Sequence, residues 1–313
     1  MTHTARHALE HGSAADTAGS RADELPGLAI RHLRTHDDFA ACVQLQHDTW
    51  GATFSECVPA AILKVSQRIG GVCAGAFDAR GRLLGFVFGM TGVEHGRLVH
   101  WSDMLAVRPE LRDQGIGRRL KEFQRDTLLA IGVERIYWTY DPLVARNAHL
   151  NINRLGVQVV EYVPDMYGSE TDSVLHRGIG SDRFVVAWRI AGDRDAQIED
   201  ADAAREARIV NAADARGVPT PPALPDAPAE PVLRVEIPLE IARVQSASLD
   251  IAARWRATTR AAFTWAFAHG YEVTGFVREP RIRRACYVLT HAALSSSPGT
   301  SRPGTSPRRE GDR

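Results

Sequence analysis

The stretch Leu105-Ala-Val-Arg-Pro-Glu-Leu-Arg-Asp-Gln-Gly-Ile-Gly-Arg-Arg-Leu-Lys-Glu-Phe123 does more than any other to limit what this chain can fold into. An apolar run ending at Val107 reads as a strand, Arg112-x-x-Gly115-x-Gly117 as a turn, and the residues from Ile116 onward as an amphipathic helix. Strand, glycine turn and helix in that order commit the chain to an α/β architecture. They also gather unpaired main-chain N–H groups at the first turn of a helix, which is a seat for phosphate or pyrophosphate. Two glycines alone would suit any tight turn. The strand before and the helix after them favour a nucleotide-bearing cofactor. No Gly-x-x-x-x-Gly-Lys-Ser/Thr occurs, and Leu120 stands where a dinucleotide fingerprint needs its third glycine.

Around this stretch the punctuation defines five parts. Residues 1–26 lack an apolar period and predict a disordered tail. Residues 27–191 predict the main domain. Its order is a strand at 28–33, a helix capped by Thr35 and Asp38 and reaching Trp50, and a helix from Pro59 to near Gly70. Three strands follow at 72–77, 82–90 and 98–107, the first two joined by a hairpin at Asp78–Gly81. Then come a helix at 116–131, a strand at 134–140, a helix at 143–155 and strands at 157–162 and 183–190. This order suits a mixed central β-sheet with helices on both faces. Both crossovers between 98 and 162 fit parallel βαβ units. Residues 192–231 predict a partly helical, then proline-rich linker, with six prolines between Pro219 and Pro231. Residues 232–291 predict a small C-terminal α/β domain of strand, helix at 248–268, and two strands. Their order echoes the later half of the main domain as an incomplete repeat, and so small a core is expected to pack on the main domain. Residues 292–313 predict a second disordered tail.

Lys and Arg together number 38, as do Asp and Glu, so no strong field favours nucleic acid or an acidic membrane. Cys42, Cys57, Cys73 and Cys286 make no close pair and read as buried free thiols. No signal segment or long apolar run is evident, which leads to the expectation of a soluble cytoplasmic protein. The histidines show no metal-ligand spacing, and no metal is expected.

With Arg112, Gly115 and Gly117 in this context, the chain resembles the GCN5-related N-acyltransferase (GNAT) superfamily. The resemblance covers about half the chain and implies acyl-coenzyme A, either acetyl- or another acyl-CoA such as succinyl-CoA. It implies that Arg112 and the amides of Asp113, Gln114, Gly115, Ile116, Gly117 and Arg118 hold the pyrophosphate. Leu105, Ala106 and Val107 would run beside the pantetheine arm. Asn147 and Asn151 on the fourth helix would orient the cofactor or a water. The segments Asn147–Gly156, Tyr167-Gly168 and Ser181–Phe184 resemble a bacterial branch with an extra C-terminal region, whose members include proteins proposed to acylate amino acids. One departure matters: Ile152 stands where many relatives carry a tyrosine, and isoleucine cannot protonate a leaving thiolate.

The implied chemistry is direct attack by a neutral amine on the thioester, which needs a base but no covalent nucleophile. His100 has the better unperturbed pKa, whereas Asp103 is nearer the cofactor segment and is slightly favoured. Alternation sets them on opposite faces unless a bulge intervenes. Either could instead make a local structural bond. The polar loop 161–182 reads as an acceptor-binding lid, in which Arg183 would hold a substrate carboxylate and Tyr167 would add a hydrogen bond. A salt bridge is the plain alternative for Arg183. Glu94 and His95 could rim the acceptor pocket. Arg254, Arg256 and Arg260 read as a solvated helix face. The expected function is therefore an N-acyltransferase moving an acetyl or succinyl group to a small acceptor, an amino acid or related carboxylate. A non-catalytic coenzyme A sensor or interaction module is the alternative, and a homodimer is compatible with either.

Overall fold

Alternating apolar residues between glycine- and proline-marked turns build two sheets, and helices close over them. The computed structural model describes residues 27–168, 178–192, 201–279 and 283–295. The expected tail 1–26 lies outside these residues, as does the second tail beyond Ser295 and, in the polar loop, Ser169, Asp172, Ser173 and His176.

The first part runs β1 (Ala29–His32), α1 (His36–Trp50), α2 (Ala60–Arg68), β2 (Val72–Phe77), β3 (Leu83–Glu94), β4 (Arg97–Val107), α3 (Ile116–Leu129), β5 (Arg135–Tyr140), α4 (Ala145–Ala148), β6 (Gln158–Val163) and β7 (Arg183–Arg189). This is the predicted order. Thr35 caps α1 and Asp38 returns the bond to the cap's own N–H. Arg31 holds Asp38 well below the usual carboxylate range. The fourth helix departs from a plain α-helix. One α turn passes into a π-helical stretch, His149–Leu155, which turns Asn151 and Ile152 inward and stops at left-handed Gly156.

The seven strands lie in the order β1-β2-β3-β4-β5-β7-β6. β4 and β5 are parallel, and α3 makes their crossover. The second crossover also joins strands that run parallel, β5 and β6, but β7 slots antiparallel between them. Burial gives the reason. β7 is covered on both faces along nearly its whole length, whereas β6 is half exposed and suits an edge. Helices α1 and α2 cover one face of β2–β4 through Phe39, Cys42, Leu45 and Leu63. Helix α3 covers the other through Ile116, Leu120 and Leu128.

The second part comprises α5 (Ala201–Glu206), β8 (Arg208–Ile209), β9 (Val232–Pro238), α6 (Ile241–Ala247), α7 (Leu249–Ala268), β10 (Tyr271–Glu279), β11 (Arg284–His291) and α8 (Ala292–Ser295). Its strands order as β10-β11-β9-β8. The order β9-β11-β10, antiparallel throughout, repeats that of β5-β7-β6. β8, from the stretch predicted as linker, adds parallel to β9.

This part packs on the first, as its small size demands. Phe263 of α7 lies 4.7 Å from Phe184 of β7 and 5.4 Å from Tyr162 of β6, ring centre to ring centre. Tyr287 donates to the Pro142 carbonyl at 2.8 Å, and Asn153 donates to the Phe276 carbonyl at 2.9 Å. Arg254 is exposed as expected, but Arg256 and Arg260 correct the reading of a solvated face. Aspartates at the ends of the first sheet's strands draw both guanidinium groups inward: Arg256 pairs with buried Asp141 at 2.7 Å, and Arg260 with Asp165 and Asp182. No helix among the described residues is long and apolar enough to cross a membrane.

Because Phe263 fills a core common to both parts, Phe263→Ala should cost about 3–5 kcal/mol and lower the stability of the whole chain in one transition. Denaturant unfolding followed by far- and near-ultraviolet circular dichroism reads this. Two separated transitions would assign the parts independent cores.

Candidate active site

The loop after β4 sets its geometry with two left-handed residues, Asp113 at φ 63° and Gly115 at φ 76°. Pro109–Leu111 forms a single tight turn, and Arg112 folds back to donate to the Val107 carbonyl at 3.3 Å. The first bond of α3 runs from Arg119 N–H to the Gly115 carbonyl. The main-chain N–H groups of Asp113, Gln114, Gly115, Ile116, Gly117 and Arg118 therefore have no acceptor among the described residues. The first turn of α3 holds no acidic side chain, so the helix dipole and these amides present one positive pole. Arg146 on α4, which the sequence did not single out, adds to it. Burial lowers the Arg112 pKa, and the neighbouring charge of Arg146 lowers it further. Two guanidinium groups held close together suit an anion with more than one charge. Gly117 has an ordinary helical backbone, and a Cβ there would point at Leu105 and Val107 at 3.8 and 3.9 Å. Its bare face thus keeps open the slot between α3 and β4.

That slot leads to a split in the sheet. β4 pairs with β5 only at His100–Ile136 and Trp101–Tyr137, although β4 continues to Val107 and β5 to Tyr140. Beyond Trp101 the two parallel strands part, leaving one edge of β4 without a strand partner among the described residues. A bulge coincides with the split: Phe88 pairs with Met104 and Met90 with Trp101, so β4 carries an extra residue between them. The bulge inverts the alternation. His100 and Ser102 face α3, and so do Leu105 and Val107, whereas Met104 and Ala106 join the core under α1 and α2.

The two predicted bases have different surroundings. His100 is wholly buried, with its ring nitrogens 3.0 Å from Thr91 Oγ1 and 3.0 Å from Gln124 Nε2. Burial, aided by the charge of Lys121, pushes its pKa down to about 3. His100 is a neutral core residue that does not join the open side of the split. Asp103 does. It presents surface to solvent, yet protein atoms crowd its carboxyl and raise its pKa, and the negative charge of Glu56 adds to the rise. Glu56, in the turn between α1 and α2, is also within electrostatic range of Arg183. Arg183 is buried to 8% exposure, donates to the Asp182 carbonyl at 3.0 Å, and lies 5.2 Å from the Tyr167 ring centre. Tyr167 Oη lies 3.1 Å from Thr139 Oγ1 on β5. Electrostatic range and short distances thus link Asp103, Glu56, Arg183, Tyr167 and Thr139 in series, Glu56 and Thr139 being members that sequence reasoning missed. On β4, β5 and β7 lies a groove of about 510 Å³ lined by Trp101, Tyr137, Val185 and Ala187. Glu94, an exposed residue in the turn that could rim an acceptor pocket, lines this groove and accepts from Tyr137 Oη at 2.9 Å.

The asparagines divide. Asn147 is half-buried near Arg146, its side chain without a partner among the described residues. Asn151 is buried, and its Oδ1 accepts from Trp138 Nε1 at 3.2 Å, which ties it to the core rather than to a ligand. Ile152 is likewise buried. Lys121, unremarked in the sequence, is buried beside the split. Its ammonium donates to Ser102 Oγ at 2.7 Å, sits 3.7 Å from the Trp138 ring centre, and has its pKa pushed well down by burial. Among the described residues no cluster of His, Cys, Asp or Glu is placed to hold a metal.

No protein-family model matches the chain, and no curated protein matches its sequence. Solved structures similar to part of it include the ribosomal-protein-S18-alanine N-acetyltransferase from Escherichia coli, at 20% identity and a TM-score of 0.40 over 54% of this chain and 99% of that one. Another is an aminoglycoside 6'-N-acetyltransferase complexed with coenzyme A, at 16% identity and a TM-score of 0.41 over 53% and 99%. A third, the NatC complex bound to Gag peptide and CoA, has 17% identity and a TM-score of 0.43 over 52% and 98%. At these identities and scores, the acceptors named for those enzymes remain theirs.

A histidine with a folded pKa near 3 takes up its proton in the unfolded chain first, at about 6.5. Its contribution to stability is therefore complete above about pH 6.5 and falls as pH drops toward 3. Unfolding at pH 7.5 and 5 should show this loss, and His100→Gln should lessen it. An unchanged pH dependence in that variant would assign the loss to other groups.

Proposed function

We propose that this chain is an acyl-coenzyme A dependent N-acyltransferase that transfers an acetyl or succinyl group to the amine of a small acceptor, an amino acid or related carboxylate. The observation that carries the reading is the run of undonated N–H groups from Asp113 to Arg118, set beside the unpaired edge of β4. A diphosphate would sit on the first, with Arg112 and Arg146 balancing its charge. An extended arm would lie along the second at Leu105, Ala106 and Val107, between α3 and the split, with Asn147 beside it. The bound thioester supplies the activated acyl group.

The chain's own residues account for the rest. Asp103, at the bulge where the strands part, takes the proton from the attacking amine. Its raised pKa makes it a stronger base than an ordinary carboxylate. Main-chain donors on the parted edge of β4 steady the carbonyl oxygen as charge develops. The nitrogen–carbon bond forms, the carbon–sulfur bond breaks, and the thiolate takes its proton from water, because Ile152 has none to give. Arg183 and Tyr167 hold the acceptor's carboxylate opposite the Asp103 and Glu56 charges that attract its ammonium group. Opposed charges of this kind suit a zwitterion.

Ile152 also favours a second reading, a coenzyme A sensor without turnover. Incubation with acetyl- or succinyl-coenzyme A and pooled amino acids, followed by thiol release and the mass of new amides, separates the two. Tight binding without release supports the sensor, and acylated peptides without acylated amino acids support a protein modifier.

Gly117→Leu should abolish coenzyme A binding in calorimetry, with far-ultraviolet circular dichroism checking that the variant is folded; Gly117→Ala, whose Cβ meets only ordinary contacts, should leave the melting temperature nearly unchanged. Retained binding would remove the α3 turn as the anion seat. Asp103→Asn should bind coenzyme A normally and slow transfer by about 100- to 10,000-fold. Normal turnover in that variant would take Asp103 out of the base role.

A further inference from the structure

The C-terminal part reaches the proposed acceptor site through two arginines one turn apart on α7. Arg256 Nε donates to the Ile179 carbonyl at 2.9 Å, and its terminal nitrogen pairs with Asp141 at 2.7 Å. Arg260 Nε donates to Asp182 Oδ2 at 3.0 Å, and its Nη2 meets Asp182 and, at 2.8 Å, Asp165. These partners stand at strand ends. Asp141 follows β5, Asp165 follows β6, and Ile179 and Asp182 precede β7. One helix therefore ties together three strand ends.

A second layer of bonds carries the tie toward Tyr167 and Arg183. Asp165 N–H donates to Asp182 Oδ1 at 3.1 Å, and Ser181 N–H donates to Asp165 Oδ1 at 3.3 Å. Ser181 Oγ donates to the Gly168 carbonyl at 2.7 Å and accepts from Tyr167 N–H at 3.0 Å. Tyr162 Oη also donates to Asp182. The belt is crowded. Asp165 holds φ 45°, uncommon for a residue with a side chain. Gly180 has φ 78°, and a Cβ there would stand 2.6 Å from Asp165 Oδ1 and 3.2 Å from Arg260 Nη2. Asp182 is wholly buried, and although burial opposes its charge, Arg260 and Tyr162 hold its carboxyl below the usual range. Tyr167 lies two residues beyond Asp165, and Arg183 immediately follows Asp182.

We infer that Arg260 is a positioning residue: by bridging Asp165 and Asp182 it sets Tyr167 and Arg183 against the acceptor, which makes the C-terminal part half of the acceptor site. Neither carboxylate reaches the coenzyme A seat, which is built on α3 and α4. The two half-sites are therefore separable by mutation. This inference rests on the proposed transfer reaction.

The test compares wild type, Arg260→Lys, Arg260→Met and, as a control on the same helix, exposed Arg254→Met. Thiol release is measured against the concentration of pooled amino acids at saturating acetyl- or succinyl-coenzyme A, and coenzyme A affinity is measured by calorimetry. Lysine keeps the charge but cannot fork to two carboxylates. Arg260→Lys should raise the half-saturating amino-acid concentration about tenfold, a shift of about 1.4 kcal/mol, and Arg260→Met should raise it further. Coenzyme A affinity should stay within about twofold of wild type in both, and Arg254→Met should change neither. Hydrogen exchange should quicken at Asp165–Gly168 and Gly178–Asp182 but not at Asp113–Arg118. An unchanged amino-acid dependence in both Arg260 variants overturns the inference. So does a parallel loss of coenzyme A affinity, which would mark Arg260 as a general stabiliser. A wild type that releases no thiol overturns the proposed function, and this inference with it, before any variant is compared.

Discussion

Main-chain hydrogen bonds left unmade organise this structure. A folded chain ordinarily pairs its N–H and C=O groups within helices and sheets, and here two sets remain open side by side. One is the amide run from Asp113 to Arg118 at the mouth of α3; the other is the edge of β4 beyond Trp101. Each follows from its own local event. The extra residue in β4 turns the strand away from β5, and the left-handed backbone at Asp113 and Gly115 turns the chain sharply into the helix. The donors are thus held in position by the backbone and need no reorganisation to meet an anion.

Around that opening the charges are arranged by sign. Arg112 and Arg146 stand where an anion would enter. Asp103 and Glu56 stand on the far side of the split, with Arg183 within reach of Glu56. A reaction that joins an anionic carrier to an amine needs this separation. If the carboxylates stood beside the anion seat, they would weaken it. The buried Lys121 beside the split has no carboxylate against it among the described residues, and its contacts with Ser102, Gln124 and the Trp138 ring take that place.

The C-terminal part is welded on by two kinds of contact with different consequences. Its aromatic rings complete the core around Phe184, an undirected contribution proportional to the area buried. Its arginines pair with buried Asp141 and Asp182. Such pairs add little net stability, but losing one partner leaves an expensive charge behind. The rings hold the parts together and the ion pairs set their register, which is why α7 can govern the ends of strands in the other part.

Much was legible in the chain itself. The period of each segment, the cap at Thr35 and Asp38, the hairpin at Asp78–Gly81 and the glycine turn before α3 are local signals, because neighbours within a few residues decide them. The order of elements followed, and so did the run of open amides before α3. The tertiary structure decided what local signals cannot carry. It placed β7 between β5 and β6, since only packing shows which strand is buried on both faces. It buried His100 against α3 and left Asp103 exposed, because helix packing decides which residues of β4 are covered. It brought Arg256 and Arg260 to aspartates at strand ends, Glu56 to Asp103 and Arg146 to Arg112, partners distant in the chain. Periodicity is a property of adjacent residues, whereas burial and charge pairing belong to residues that meet only once the chain has closed.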